Sequence, residues 1–143
     1  TIGPYGRATY FNRVKKKKTA TTCPCGSGQA LNGCCLRYIN GALSAPAAEA
    51  LMRSRYTAYA LQNEQYLLDS WHASTRPESI NIDPSAQWLR LSILNSNNDH
   101  VEFVATYRIQ GRAHKLHENS HFVFEDGKWF YVDGVIKESD PEK

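Results

Sequence analysis

Residues 101–136, VEFVATYRIQGRAHKLHENSHFVFEDGKWFYVDGVI, decide the fold class of this 143-residue chain. Apolar and polar side chains alternate along this segment, and a period of two is typical of half-buried β-strands. The alternation breaks at Gly111-Arg112 and at Asp126-Gly127, and an Asp-Gly pair strongly favours a two-residue hairpin turn. An earlier strand begins at Trp88 and ends in the polar turn 96–99. The sequence therefore predicts a four-stranded antiparallel meander.

Two helices are predicted ahead of the meander. The first follows from side chains that recur at spacings of three and four, namely Ala48, Met52, Arg55 and Tyr59. The second begins at Asn63 as its N-cap and carries one apolar face, formed by Leu67, Leu68 and Trp71. Helices followed by consecutive antiparallel strands indicate an α+β fold whose helices cover one face of the sheet.

Composition and charge exclude several classes of protein. Hydrophobic residues make up 41% of the chain and charged residues 22%, which is typical of a folded domain rather than a disordered chain. Neither a membrane span nor a signal peptide is recognisable, so we expect a cytoplasmic protein without membrane contact. The formal net charge of +3 hides six cations and no acids in residues 1–22. We interpret that segment as a solvated basic tail, and we expect no nucleic-acid partner because no basic patch continues beyond it.

All four cysteines lie within residues 23–35, in the spacing Cys23-x-Cys25-x8-Cys34-Cys35. Four thiolates that can converge across a glycine-rich turn suit a tetrahedral metal ion. Sulfur ligands favour Zn²⁺, and ligand type leaves iron and copper(I) open. The alternatives are disulfides or free buried thiols, and disulfides are disfavoured in a chain without a secretion signal. With four protein ligands, the predicted metal is structural.

The cysteine segment resembles a known motif. Cys23-Pro24-Cys25-Gly26-Ser27-Gly28, followed by Cys34-Cys35, is similar to the SEC-C motif, which binds zinc in the translocase motor SecA and contacts the chaperone SecB. SecA-type fingers usually carry a lysine and an aromatic residue where this chain has Gln29 and Leu31. The metal ligands are intact, but the chaperone-binding surface does not follow from the resemblance.

The rest of the chain resembles the YchJ family of bacterial proteins. The resemblance covers residues 23–136 and is carried by several short motifs: Tyr38-Ile39-Asn40-Gly41, Ala45-Pro46, Leu51-Met52-Arg53-Ser54-Arg55-Tyr56, Ala58-Tyr59, Tyr66-Leu67, Trp71-His72 and Trp129-Phe130-Tyr131-Val132-Asp133-Gly134. It implies a SEC-C finger ahead of a cone-shaped domain similar to nuclear transport factor 2 (NTF2), in which helices pack on a curved antiparallel sheet.

The resemblance and the composition together predict the domain organisation. A basic tail occupies residues 1–22, the SEC-C motif residues 23–41, the NTF2-like domain residues 42–138 and a C-terminal tail residues 139–143. So short a finger has little core of its own, so we expect metal removal to disorder it while the cone stays folded.

The predicted turns place two carboxylates on the core face of the sheet. With a Gly111-Arg112 turn, Ala105 opposes Glu118, and with an Asp126-Gly127 turn, Ser120 opposes Asp133. Buried carboxylates need partners. The nearest candidates are Arg55 on the first helix and, in reserve, Arg53, Tyr131 and His72. These residues form either a structural network or a pocket in which an acid moves protons.

Three histidines on the third strand do not predict a second metal site. His114 faces away from His117 and His121, and these last two stand about 13 Å apart along a strand. We therefore interpret all three as histidines of the solvent face.

The sequence favours a binding role over catalysis. We expect the partner to be either another protein, bound through the SEC-C finger, or a small molecule in the cone. The alternative is a cone-fold enzyme of the isomerase, dehydratase or hydrolase type that uses Glu118 and Asp133. No catalytic residue is assigned, because no nucleophile–base pair or phosphate loop is recognisable.

Overall fold

The computed structural model describes residues 21–137. The predicted tail 139–143 and all but residues 21 and 22 of the predicted basic tail lie outside this range. The described residues form a 3₁₀ turn, three α-helices and four strands: the turn Leu31–Gly33, α1 Leu36–Ile39, α2 Ala48–Ala60, α3 Glu64–Asp69, β1 Gln87–Asn97, β2 His100–Ile109, β3 Arg112–Glu125 and β4 Lys128–Ile136. None of these helices is long and apolar enough to cross a membrane.

The strands form one antiparallel sheet in chain order, β1-β2-β3-β4. Helix α2 packs across the sheet and contacts β1, β2 and β4. The inner face beneath it carries the buried side chains Val101, Phe103, Ala105 and Phe122. The predicted α+β fold, a meander covered by helices, is confirmed.

The turn between β2 and β3 differs from the prediction by one residue. Gln110 and Gly111 occupy it, with φ angles of 51° and 79°, so that Ile109 pairs with Arg112. Two consecutive positive φ angles are typical of the tight turns that match strand twist. The register therefore moves by two residues, and Glu118 pairs with Phe103 rather than Ala105. A shift of two leaves every side chain on its predicted face.

A β-bulge in β4, where the pairing with His121 and Phe122 skips Val132, overturns the prediction for Asp133. Phe122 still pairs with Tyr131 as predicted, but beyond the bulge His121, not Ser120, pairs with Asp133. One inserted residue reverses the face of everything after it. The Asp133 side chain is 66% exposed and points away from the helices, so its predicted inward orientation is wrong.

The chain between α3 and the sheet is tied to β4 by its backbone. Asn63 caps α3 as predicted, since its Oδ1 accepts a hydrogen bond from the Tyr66 amide at 3.0 Å. Trp71, predicted on this helix, lies beyond its end in a parallel bridge to Tyr131. The Tyr131 amide donates to the Ser70 carbonyl at 2.9 Å, and the His72 amide donates to the Tyr131 carbonyl at 2.7 Å. These bonds fix residues 70–72 along the edge of β4 that is not paired with β3.

The cysteine segment and the cone share one hydrophobic core. Cys23, Cys25 and Cys35 are each at most 2% exposed, and they belong to the same buried cluster as Leu51 and Leu91. The boundary near residue 41 stays a prediction, but the finger does not stand apart from the cone in its packing.

Replacing the cap of α3 should lower stability measurably. Asn63→Ala removes the side-chain acceptor of the Tyr66 amide, and we expect the free energy of unfolding to fall by about 1 kcal/mol. Asn63→Asp keeps an acceptor at the same place and should retain most of the stability. Urea denaturation of both variants measures the difference; equal losses in the two would contradict the assigned cap.

Candidate functional site

The four cysteines converge on one point. Their Sγ atoms all lie within 4.8 Å of one another, and those of Cys25 and Cys34 are 3.7 Å apart. A tetrahedral zinc–thiolate centre with bonds of about 2.3 Å requires sulfur atoms about 3.8 Å apart. All four are free cysteines, and the Cys25–Cys34 separation is far longer than a disulfide bond. The cluster could therefore bind a metal ion.

A small hairpin brings the two cysteine pairs together. The Cys23 amide donates to the Gln29 carbonyl at 2.9 Å, and Thr22 bridges Ala30 across the turn. Gly26 and Gly28 have φ angles of 84° and 86°, which L-residues with a side chain rarely adopt. Cys34 and Cys35 follow the 3₁₀ turn at the start of α1. The glycine-rich turn thus brings the four Sγ atoms together, as the cysteine spacing predicts.

Polar groups surround the cluster from three sides. The Ser27 Oγ lies 3.1 Å from the Cys34 Sγ, the Thr57 Oγ1 lies 3.6 Å from the Cys23 Sγ, and Arg53 donates to the Cys25 carbonyl at 2.8 Å. A hydrogen bond with the Cys35 thiol lowers the pKa of Cys25, and the same bond together with burial raises the pKa of Cys35. The cluster therefore shares protons that a metal ion would displace.

A second feature is a cavity of about 210 Å³ between α2 and the inner face of the sheet. We call it the cone cavity. Its walls are mainly apolar and aromatic, with polar groups at a few positions, and are formed by Met52, Arg55, Tyr56, Tyr59, Trp71, Trp88, Phe103, Ala105, Leu116, Glu118, Ser120 and Tyr131. Apolar cavities with a few placed polar groups are the usual sites of small ligands.

Arg55 is buried at one wall of the cone cavity with 4% of its surface exposed. Its Nη1 donates to the Leu67 carbonyl at 2.8 Å and to the Ser70 Oγ at 2.7 Å. The guanidinium also lies over two rings, 4.6 Å from the Tyr131 centroid and 5.1 Å from that of Trp71. Burial lowers the pKa of Arg55, though guanidinium groups remain charged in proteins.

Arg55 forms no ion pair with Glu118 or Asp133, so the predicted partnership is wrong. Among residues 21–137 its hydrogen bonds go to a carbonyl and a hydroxyl. The end of α3 presents these acceptors, and the bulge at Val132 in β4 places Asp133 on the other face of the sheet. A buried cation without a partner costs several kcal/mol, and here neutral dipoles and aromatic faces offset part of that cost.

Glu118 does lie in the lining of the cone cavity. Its Oε2 accepts hydrogen bonds from the Ser120 hydroxyl at 2.8 Å and the Tyr131 hydroxyl at 3.0 Å. Burial, reinforced by the nearby Glu118, raises the pKa of Tyr131. The carboxyl group packs directly over Gly134, where a Cβ atom would collide with Glu118 Oε2. The Glu118 carboxyl group thus occupies the space that a side chain at position 134 would fill.

Tyr56 is a site residue that the sequence did not single out. The residue is 2% exposed, and its hydroxyl is buried without a hydrogen-bond partner among the described residues. Burial raises the pKa of Tyr56 to about 12. Its position one turn after Met52 was the available signal. Trp88 was also missed as a wall residue, and its pairing with Tyr107 across β1 and β2 was the corresponding signal.

The remaining predicted pocket residue, His72, lies outside the cone cavity. Its Nε2 lies 2.6 Å from the Glu125 Oε1, and its ring packs against Phe130 on the outer face of the sheet. The outer face also carries His117, 2.7 Å from Glu102, and His121, 3.6 Å from Asp133. His114 is exposed and stacks on Tyr107. Within the described part of the chain, the cysteines are the only cluster with the geometry of a metal site.

Comparison with known proteins identifies both parts of the chain. The family model described as "YchJ, middle NTF2-like domain" matches residues 47–134. A UPF0225 protein of Chromobacterium violaceum is 47% identical over 132 residues, covering 85% of this chain and 97% of that protein. A UPF0225 protein of Cupriavidus metallidurans is 47% identical over 127 residues, covering 81% and 89%.

Two solved structures have the same fold. The solution structure of a SEC-C motif containing protein from Rhodopseudomonas palustris is 31% identical, with a TM-score of 0.72, and covers 82% of this chain and 100% of its own. A crystal structure of a SEC-C motif containing protein from Psychrobacter arcticus has a TM-score of 0.64 and 22% identity. The match covers 87% of this chain and 88% of that protein, and it supports the fold alone.

The contact between Gly134 and Glu118 yields a test of the site geometry. Gly134→Ala should lower the free energy of unfolding by about 1–3 kcal/mol, because the new methyl group overlaps the Glu118 carboxyl. Gly33→Ala is the control, since neither a positive φ nor any atom within 4 Å opposes a methyl group there.

A double-mutant cycle identifies the cause of that loss. In a Glu118→Ala background the penalty of Gly134→Ala should largely disappear, because the obstructing carboxyl is gone. Thermal or urea unfolding of the four chains supplies the cycle. An equal penalty in both backgrounds would show that Glu118 does not lie over Gly134.

Proposed function

The chain belongs to the YchJ family, and we propose that it is a zinc-stabilised protein that binds a small ligand in its cone cavity. The finger supplies a structural metal site and the cone supplies the binding site. The observation that carries the proposal is the cone cavity itself, whose mainly aromatic walls include a buried arginine and a glutamate.

Zinc is the metal that this donor set suits best. Four sulfur ligands near tetrahedral spacing favour Zn²⁺ over hard cations, with iron and copper(I) as the alternatives that metal analysis would distinguish. Cys23, Cys25, Cys34 and Cys35 would hold the ion, and four protein ligands leave no position for water or substrate. When bound, the ion would contribute folding free energy and no reaction step. Its need for reduced thiols supports a cytoplasmic location.

A binding role is favoured over catalysis by the placement of the carboxylates. The alternative enzyme required Glu118 and Asp133 in one pocket, whereas Asp133 lies on the outer face. Glu118 accepts two hydroxyl hydrogen bonds, which hold a carboxylate in place. A cavity with one fixed carboxylate and one fixed guanidinium is suited to orienting a ligand.

The small molecule is also favoured over a protein partner for the finger. Three of the four cysteines face the shared core, so the cysteine side of the finger is occupied by the cone. Arg53 and Thr57 of α2 further connect the finger to the helix that forms one wall of the cavity. The finger is therefore suited to bracing that wall.

The reduced chain should contain one zinc ion per molecule. Removing it with a chelator should lower the melting temperature of the cone as well as disorder the finger, because three ligands belong to the common core. Elemental analysis gives the stoichiometry, and circular dichroism of the sheet follows the cone. Absence of stoichiometric metal would contradict the zinc proposal. A cone that melts at an unchanged temperature would favour the independent finger predicted from the sequence.

The cone cavity should bind a small neutral aromatic probe such as benzyl alcohol. The chain has three tryptophans, of which Trp71 and Trp88 line the cone cavity while Trp129 lines a separate cavity beside α1. Titration should shift the indole N–H resonances of Trp71 and Trp88 and leave that of Trp129 in place.

A cavity-filling variant provides the control for that titration. Ala105→Leu places a larger side chain in the cavity and should abolish the shifts without loss of stability. Val104→Leu, on the opposite face of the same strand, should leave them unchanged. Shifts that survive Ala105→Leu would place the probe elsewhere and contradict the proposed binding site.

A further inference from the structure

The guanidinium of Arg55 has an unused edge. Both of its hydrogen bonds to described residues come from Nη1, and neither Nε nor Nη2 donates to any residue between 21 and 137. These two nitrogens form the fork of an arginine side chain, which matches the two oxygens of a carboxylate. Arg55 lines the cone cavity, so a ligand there is the available acceptor.

The charge of Arg55 is also unbalanced at close range. No carboxylate of the described residues forms an ion pair with it, although the side chain is almost fully buried. Glu118 shares the cavity, but the hydrogen bonds it makes join it to Ser120 and Tyr131. A buried guanidinium with free donors therefore gains more from an anionic ligand than from a neutral one.

We propose that the cone cavity binds a small aromatic carboxylic acid as its anion, with the carboxylate held by the Nε and Nη2 edge of Arg55. This inference rests on the proposed ligand-binding function and adds the chemical class of the ligand. The volume suits one ring with a short substituent, since an apolar cavity of about 150 Å³ can hold benzene and this one measures about 210 Å³.

The walls fit the ring of such a ligand. Trp88 lies at one side, with its ring 5.6 Å from those of Tyr56 and Tyr59, and Trp71 and Tyr131 lie together with centroids 5.0 Å apart. Aromatic pairs at such distances favour stacked or edge-to-face contacts with another ring. Tyr56 contributes its ring to the wall, while the polar groups of the cavity are those of Arg55, Glu118, Ser120 and Tyr131.

A cationic ligand fits the same cavity poorly. Glu118 would attract an amine, but the buried charge of Arg55 would repel it in surroundings of low dielectric constant. Glu118 should also weaken the binding of a carboxylate to some extent, because two negative charges would share the cavity. The two charged residues therefore predict opposite effects of their removal on the same anionic ligand.

The test compares three probes of similar shape on the metal-loaded 143-residue chain: benzoate, benzamide and benzylamine. Titrations followed by the indole N–H resonances should show benzoate binding about tenfold more tightly than benzamide, the difference expected between charged and neutral hydrogen bonds. Benzylamine should bind most weakly. Trp71 and Trp88 should shift and Trp129 should not, which assigns the binding to the cone cavity.

Two variants assign the effect to the two charges. Glu118→Gln should raise the ratio of benzoate affinity to benzamide affinity several-fold, whereas Asp133→Asn, the same charge change on the outer face, should leave that ratio unaltered. Arg55→Lys keeps the charge but loses the fork, and should reduce the preference for benzoate. If Arg55→Lys does not fold, the three probes on the unaltered chain still decide the question.

The outcomes separate this inference from the proposed function. Benzamide or benzylamine binding as tightly as benzoate would overturn the carboxylate inference while leaving a ligand-binding cavity. A lower ratio of benzoate affinity to benzamide affinity in Glu118→Gln would also overturn the carboxylate inference and leave the ligand-binding cavity in place. If no probe, benzyl alcohol included, shifts Trp71 or Trp88, the proposed function fails with it.

Discussion

The burial of one positive charge organises the cone. Arg55 leaves α2 and reaches the carbonyl and hydroxyl groups at the end of α3, which fixes the angle between the two helices. Its guanidinium also lies over the rings of both Trp71 and Tyr131, so the segment after α3 is held against β4. Because the charge cannot be left in an apolar core without these contacts, the helices, the edge of the sheet and the cavity wall depend on a single side chain.

The features that could be predicted from the sequence are those set by local periodicity. Alternation along residues 101–136 predicted the faces of the sheet, and an error of two residues at Gln110-Gly111 left Glu118 on its correct face because the side-chain period is two. The bulge in β4 inserts a single residue, Val132, and no local pattern distinguishes it. A register shift of one residue therefore reversed the predicted face of Asp133, whereas the shift of two residues between β2 and β3 changed no face.

The same distinction applies to the two candidate sites. Four cysteines within thirteen residues can meet only across their own turn, so spacing predicted the convergence that the sulfur distances display. The cone cavity depends instead on how α2 lies over the sheet. Its lining residues come from α2, from Trp71 and from all four strands. Arg55 could be recognised as an inward residue, but its acceptors at Leu67 and Ser70 depend on the path of the chain after α3.

Helix α2 makes contacts on several of its faces, although the sequence predicted one inward face only. Five consecutive residues make contacts in different directions: Arg53 with the Cys25 carbonyl, Ser54 with the Tyr66 hydroxyl, Arg55 with α3, Tyr56 with the cavity and Thr57 with Cys23. A helix with an exposed face has a polar stripe of solvated side chains. Here polar side chains are buried and find specific partners instead, so polarity along α2 marks contacts between parts of the fold rather than exposure to water. The finger, α3 and the cone cavity consequently meet on this one helix.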